Sequence, residues 1–174
     1  MKIIKQKNQA GVGMVEVLVA LVLLALGVLG FTALQLRAVE AGDEALLRSQ
    51  ATLLMRGLTE SIRANPEGQS FYPAFVQSYS TNTTSPNAPS RACLDQTCTP
   101  QQMAAYDVYL VSRSAFNVGI NFTMATCPGI QSGNRQCLFA AWGGTKLSAT
   151  NFGTCVNSSG KYINAAKCLM MEAY

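Results

Sequence analysis

One uncharged apolar stretch near the N-terminus constrains this chain more than any other feature. Residues 17–34 contain no charged side chain, and Thr32 carries their only hydroxyl. Leu, Val and Ala dominate, and about eighteen such residues can span the hydrocarbon core of a membrane as an α-helix. Glu16 stands at the head of the stretch, where an unpaired carboxylate costs on the order of several kcal/mol. The stretch therefore predicts a membrane helix with a functional acid at its start; the alternative is a Glu16 side chain that snorkels to the lipid headgroups.

The residues before this stretch form a short basic leader. Lys2, Lys5 and Lys7 are its only charged side chains, and such positive charge stays on the cytoplasmic side of a membrane. An ordinary secretory signal has an apolar region of about 7–15 residues and then a small-residue cleavage site. Here the apolar region is longer, and Val39 and Ala41 could imitate such a site only after polar residues have begun. The pattern does not favour ordinary signal-peptide removal.

Composition limits the chemistry that the chain can carry. The 174 residues include thirteen Lys plus Arg and nine Asp plus Glu. Three of the lysines lie in the leader, so residues 12–174 carry ten basic and nine acidic side chains, and the positive balance does not indicate a nucleic-acid partner. The chain has no histidine, which excludes Ser–His and Cys–His nucleophile pairs and histidine metal ligands. We predict no metal and no cofactor.

A catalytic site is the hypothesis of a different class. Asp95 and Asp107 could form a carboxylate pair, but nothing in the sequence places them together. Asp107 follows a helical pattern and is interpreted as an exposed or capping acid. We therefore predict that the chain is not an enzyme, with a membrane-tethered periplasmic enzyme as the remote alternative.

The helix is predicted to continue past the apolar stretch. Residues 37–64 show an apolar stripe at helical spacing, and Asn65-Pro66 ends it because a residue before proline is pushed out of the helical region. Glu44 with Arg48 and Arg56 with Glu60 have the i,i+4 spacing of helical ion pairs. Four glycines interrupt the helix and mark either bends or close helix packing. The stripe is Leu47, Ala51, Leu54, Leu58 and Ile62, and the glycines are Gly27, Gly30, Gly42 and Gly57.

Shorter elements are predicted in the rest of the chain. Residues 66–92 are rich in turn formers and read as a surface loop. Thr99 and Gln102 form a capping box for a helix from Pro100 to about Val111. Strands are predicted at 119–126, 136–142 and 166–172, with a short one within 152–163. An antiparallel sheet against the long helix is the economical architecture.

The N-terminal pattern resembles a known family. A basic leader, then Gly11, an apolar residue, Glu16 as the fifth residue after Gly11, and a long apolar helix are similar to the class III leader of type IV prepilins. The resemblance implies cleavage by prepilin peptidase between Gly11 and Val12 and N-methylation of Val12, although the family usually has Phe at that position. It also implies that Glu16 pairs with the amino terminus of a neighbouring subunit and sets the axial register.

Further segments resemble the minor pilins of the PilV family, the type IV pilus modification proteins. These segments are Ser61–Asn65 at the helix end, Thr99–Asp107 and the strand end Ala141-Trp142. The implied fold class is α+β and type IV pilin-like, with a long N-terminal helix packed on a small antiparallel β-sheet domain with disulfides. The domain boundaries would be a leader at 1–11, a membrane and filament-core helix at 12–36, an amphipathic half at 37–65 and a globular domain at 66–174.

The six cysteines predict a disulfide framework and an oxidising compartment. Six cysteines allow fifteen pairings, and we choose the sequential one because each pair encloses a short loop of turn formers or polar residues. The Cys155–Cys168 loop is also like the C-terminal disulfide loop of many pilins. The predicted pairs are Cys93–Cys98, Cys127–Cys137 and Cys155–Cys168.

The resemblance implies a function in pilus biogenesis. The chain would prime assembly with other minor pilins and the major pilin, at or near the pilus tip, in twitching motility, adhesion or DNA uptake. It would lie in the inner membrane with a periplasmic C-terminal domain before joining a surface pilus. A pseudopilin of a type II secretion system shares the leader and is the alternative.

Overall fold

A computed structural model describes residues 13–81, 83–129 and 134–174. Its contacts divide the chain into two units, Met1–Asp43 and Glu44–Tyr174; we call the second unit the head. The predicted α+β fold class is confirmed, since a long apolar helix, a small antiparallel sheet and disulfides are all present. The elements in order are α1 (Met14–Ala64), a 3-10 helix (Pro66–Phe71), α2 (Tyr72–Tyr79), α3 (Pro100–Asn117), β1 (Ile120–Thr126), β2 (Gln136–Trp142) and β3 (Cys168–Glu172).

Helix α1 is continuous, and none of its four glycines interrupts it. It ends at Ala64 because Asn65, which precedes Pro66, leaves the helical region with φ −124° and ψ 65°. Within the described residues, α1 is the one helix long and apolar enough to cross a membrane. The predicted long apolar helix and its predicted end are therefore both present.

The part of α1 that belongs to the head buries one face. Ala51, Leu58 and Ile62 of the predicted stripe are fully buried, whereas Leu47 and Leu54 are half-buried at its margin. Met55 and Thr59 complete the buried face between them. This stripe forms one wall of the core of the head.

The loop predicted for residues 66–92 is wrong over its first half. Pro66 opens the 3-10 helix, and Asn65 caps it by accepting a hydrogen bond from the Gly68 N–H at 3.2 Å. Pro73 lies in the first turn of α2, where its missing N–H has no helical partner to lose. The prolines start helices here rather than turns, and the buried side chains of Tyr72 and Val76 hold α2 on the core.

Helix α3 begins with the predicted capping box but is longer than predicted. The Thr99 hydroxyl accepts from the Gln102 N–H, and the Gln102 side chain accepts from the Thr99 N–H. The helix continues past Val111 to Asn117 because Ser112 and Ala115 extend its buried face. The helix ends at Asn117 with Val118 as its C-cap, and Gly119 follows with a φ of 72°, which suits the left-handed position after many helices.

The three strands pair antiparallel in the order β1-β2-β3. Both faces of the sheet are covered, since alternate residues of β2 belong to two separate apolar clusters. Leu138, Ala140 and Trp142 face the helices. Cys137, Phe139 and Ala141 face residues 143–167, an irregular layer that packs on the outer side of the sheet.

This outer layer, residues 143–167, has little regular structure. The short strand predicted within 152–163 is reduced to an isolated bridge between Val156 and Tyr162, and β3 begins at Cys168 rather than at 166. Phe152 stacks on Phe139 with ring centroids 4.3 Å apart. The structure contains the disulfides Cys93–Cys98, Cys127–Cys137 and Cys155–Cys168, and the last of these ties the outer layer to β3.

Candidate assembly site

The start of α1 carries the acid that the sequence singles out. The Gly13 carbonyl accepts the first helical hydrogen bonds, from the N–H of Glu16 at 2.9 Å and of Val17 at 3.3 Å. Glu16 therefore lies in the first turn of the helix, where the aligned peptide dipoles favour a negative charge. Gly11 and Val12 lie outside the described residues.

The apolar segment after Glu16 has no partner within its own unit. Every side chain from Met14 to Leu36 is exposed, and the large apolar ones retain between 47% (Val17) and 84% (Met14) of their surface. The hydroxyl of Thr32 is satisfied within the helix by donating to the Leu29 carbonyl at 2.9 Å. Polar character returns with an exposed ion pair between Arg37 and Glu40. So long an apolar surface needs a membrane or the helices of other subunits to cover it.

Glu44, the first residue of the head, is fixed by contacts that are distant in sequence. Its Oε1 accepts a hydrogen bond from the Trp142 indole N–H at 3.1 Å, and its Oε2 lies 3.2 Å from Lys167 Nζ. The predicted ion pair with Arg48 is therefore wrong, because two side chains on the sheet side compete for the carboxylate. Likewise Glu60 pairs with Arg63 instead of Arg56.

A polar cluster lies where α1 ends. The Tyr72 hydroxyl donates to Asp107 Oδ2 at 2.6 Å, and Asn65 Nδ2 donates to the Pro100 carbonyl at 2.8 Å. Burial raises the pKa of the Asp107 carboxyl, while the hydrogen bond from Tyr72 acts in the opposite direction. Burial and the neighbouring Asp107 also raise the pKa of the Tyr72 hydroxyl.

This cluster corrects the interpretation of Asp107. Asp107 is half-buried and holds Tyr72, so it is neither an exposed nor a capping acid. Asp95 is exposed in the loop closed by Cys93 and Cys98, on a different element. No three His, Cys, Asp or Glu residues of the described ranges gather into a group that could hold a metal ion.

Comparison with known families covers the N-terminal part of the chain. Residues 6–32 match the family described as the prokaryotic N-terminal methylation motif. Residues 33–109 match the Tt1218-like family, described as type IV pilin Tt1218. Together the two matches cover residues 6–109, over which the chain is similar to type IV pilins. No curated protein and no solved structure matches it.

The two matches bear on the role of the N-terminal helix. The methylation motif is the signature of a pilin precursor that prepilin peptidase processes and that then assembles with other pilins. It covers Gly11, Val12, Glu16 and most of the exposed apolar segment. The pilin match takes in the rest of α1, the 3-10 helix, α2 and half of α3. The two matches are consistent with an exposed apolar helix that serves as a membrane anchor.

Proposed function

We propose that this chain is a minor pilin of a type IV pilus, of the PilV kind, which primes assembly with other minor pilins at or near the pilus tip. The observation that carries the proposal is the α1 segment from Met14 to Leu36, whose apolar side chains are all exposed. Such a helix suits two successive environments, a lipid bilayer and a bundle of similar helices. The head would face the periplasm before assembly and the surroundings of the cell afterwards.

The spacing of Gly11, Val12 and Glu16 supports a proposal for how the precursor is processed. We propose cleavage between Gly11 and Val12 and methylation of the new amino group, which leaves Glu16 as the fifth residue. Intact mass of membrane-extracted protein should lack residues 1–11 and carry one added methyl group. Gly11→Val should retain the leader, and a mature start near Gly42 would contradict the prepilin reading.

Glu16 would act between subunits. The amino group on Val12 and the Glu16 carboxylate are both poorly solvated among apolar helices, and a buried charge is tolerated only when it is paired. Glu16 of one subunit would therefore pair with the amino terminus of the next and fix their axial register.

The partners would be other pilins. Two features support this proposal: the resemblance to minor pilins, and the irregular outer layer of the head. Photo-crosslinkers placed at exposed positions within residues 37–60, such as Leu46 and Leu53, should trap other pilin-like subunits. Recovery of self-crosslinks alone, with the protein as bulk filament, would contradict the minor-pilin role.

A pseudopilin of a type II secretion system is the second candidate, because that class shares the leader and the apolar helix. The deciding experiment is a chromosomal deletion in which surface pili and secreted enzymes are counted side by side. Loss of pili with normal secretion supports the proposal, and the reverse result assigns the chain to the secretion system. A membrane-tethered enzyme is the third candidate, and a deletion that affects neither would direct attention to it.

A further inference from the structure

The charges of the head are unevenly distributed. Residues 108–171 include three lysines and two arginines and no Asp or Glu. Arg135 pairs with Glu172, and Lys167 pairs with Glu44. Among the described ranges no carboxylate lies within 4 Å of the Lys146 or Lys161 ammonium, and both side chains are exposed. This stretch of the head carries an excess of positive charge, which favours anionic ligands.

A cavity of about 570 Å³ opens beside Lys146. It forms where the segment after α2, the end of α3, the start of β1 and the outer layer meet. Its volume falls within the range of about 300–1,000 Å³ that is typical of small-molecule sites. Its lining includes Thr81, Thr83, Phe116, Asn121 and Lys146.

The lining offers several kinds of contact and no negative charge. The lining residues Thr81 and Thr83 are exposed and carry hydroxyls, and Asn121, half-buried on the outer side of β1, carries an amide. Phe116 is half-buried, so part of its ring borders the cavity. Hydroxyls and amides donate to and accept from ligand hydroxyls, an aromatic ring packs on an apolar face, and Lys146 supplies a cation. The combination fits a ligand with many hydroxyls, an apolar face and one negative charge.

We propose that this cavity binds an acidic saccharide, a pyranose that carries a carboxylate. Phosphate is the competing anion, but phosphate sites commonly combine a lysine or an arginine fork with further donors such as a helix N-terminus. This cavity instead borders the C-terminal end of α3, whose partial negative charge disfavours a dianion, and it offers a single lysine. A monoanionic sugar is the better match. The site lies in the head and does not depend on whether the chain works in a pilus or in a secretion system.

The test compares two probes that differ only in charge. Full-length protein in detergent is titrated with digalacturonic acid and with the neutral digalactoside of the same linkage. We expect the acidic sugar to bind the wild type at least tenfold more tightly, and Lys146→Ala to abolish that difference without changing the affinity for the neutral sugar. Lys161→Ala is the matched control: it removes the same charge from the outer layer but away from the cavity, and should change neither affinity by more than twofold.

A second variant tests the stacking surface. Phe116→Leu keeps an apolar side chain, and we expect it to weaken both sugars severalfold while leaving the melting temperature close to that of the wild type. Acetate at the same concentration as the sugar should not displace it. The proposal is overturned if neither sugar binds the wild type, if acetate displaces the acidic sugar fully, or if Lys161→Ala weakens binding as much as Lys146→Ala.

Discussion

The Asp107 carboxylate shows how one residue can tie distant segments together. Its partner, the Tyr72 hydroxyl, also lies 3.3 Å from Asn65 Nδ2, and Asn65 in turn reaches the Pro100 carbonyl. The end of α1, α2 and the start of α3 thus meet in one polar cluster. Tyr72 and Asp107 are 35 residues apart, so no local spacing could have paired them. A half-buried carboxylate is tolerated here because it is hydrogen-bonded.

The raised pKa of Asp107 predicts a pH dependence. A carboxyl that is harder to ionise in the folded state contributes stability that is complete below the ordinary Asp pKa of 3.8 and is lost as the pH rises through the folded value. In Asp107→Asn that loss is absent, while the amide oxygen can still accept from Tyr72. We therefore expect the free energy of unfolding of the wild type, minus that of the variant, to fall between pH 3 and pH 7.

Urea unfolding of both proteins at several pH values measures this difference. Asp95→Asn is the matched control, because it makes the same substitution at an exposed aspartate in the loop closed by Cys93 and Cys98. If the difference in the free energy of unfolding stays constant or rises with pH, the role given to Asp107 is wrong.

At the scale of elements, the glycines of helix α1 have no packing role within the described chain. A Cβ built on Gly57 would meet no atom within 4 Å, and the same holds for Gly27, Gly30 and Gly42. Of the two explanations that the sequence left open, close packing inside the head does not apply to Gly57. Glycine in a helix interior is less favourable than alanine by about 0.8–1 kcal/mol. Gly57 therefore leaves the head part of α1 less stable than it could be.

We expect Gly57→Ala to raise the free energy of unfolding of the head by about 0.5–1 kcal/mol. Gly119→Ala is a matched control, because its Cβ would also enter open space but its φ is 72°, a conformation that is strained for alanine. It should lower stability by about 1 kcal/mol. Chemical denaturation of the three proteins in one detergent gives both values, and equal shifts in the same direction would contradict the conformational argument.

Elements with strong periodicity were predictable, and those set by tertiary packing were not. Helix α1, the capping box of α3 and the cores of β1 and β2 follow from apolar spacing and local side-chain chemistry. Helix α2 was missed because Pro73 is a turn former in isolation, and only the packing of Tyr72 and Val76 shows it as a helix start. The same limit applies to the assembly site: Glu16 and the apolar segment were visible, whereas the contact of Glu44 with Trp142 spans 98 residues.

The outer layer has little regular structure, and a disulfide holds it to the rest of the molecule. Cys155 and Cys168 are fully buried between this layer and β3, whereas Cys93 and Cys98 close a partly exposed loop. Their sequence separations are 13 and 5, and the loop-entropy model gives the longer loop about 0.8 kcal/mol more stabilisation. Burial adds to this difference, because the Cys155–Cys168 bridge lies within the apolar cluster that joins the outer layer to the sheet.

We expect the double variant Cys155→Ser/Cys168→Ser to lose about 2–5 kcal/mol and to become sensitive to protease within residues 143–167. Cys93→Ser/Cys98→Ser should lose less and stay resistant there. Limited proteolysis followed by mass spectrometry compares them, and non-reducing peptide mapping of the wild type checks the pairing itself. A peptide that joins Cys93 to Cys155 or Cys168 would show a different connectivity.

In the proposed filament Glu16 would lie among apolar helices, and its charge would be tolerated only if a neighbouring subunit supplied a positive charge. We expect Glu16→Ala and Glu16→Gln to be inserted and cleaved normally, since a charge leaves the edge of the membrane. Incorporation into sheared filaments should fall at least tenfold, because breaking a buried ion pair costs about 3–5 kcal/mol.

Glu40→Ala is the control, an exposed acid on the same helix beyond the apolar segment, and should assemble like the wild type. Because both Glu16 variants lack the charge but only Gln keeps the size and polarity, a defect in Ala alone would point to shape. Wild-type incorporation of both would leave the snorkelling side chain as the explanation of Glu16.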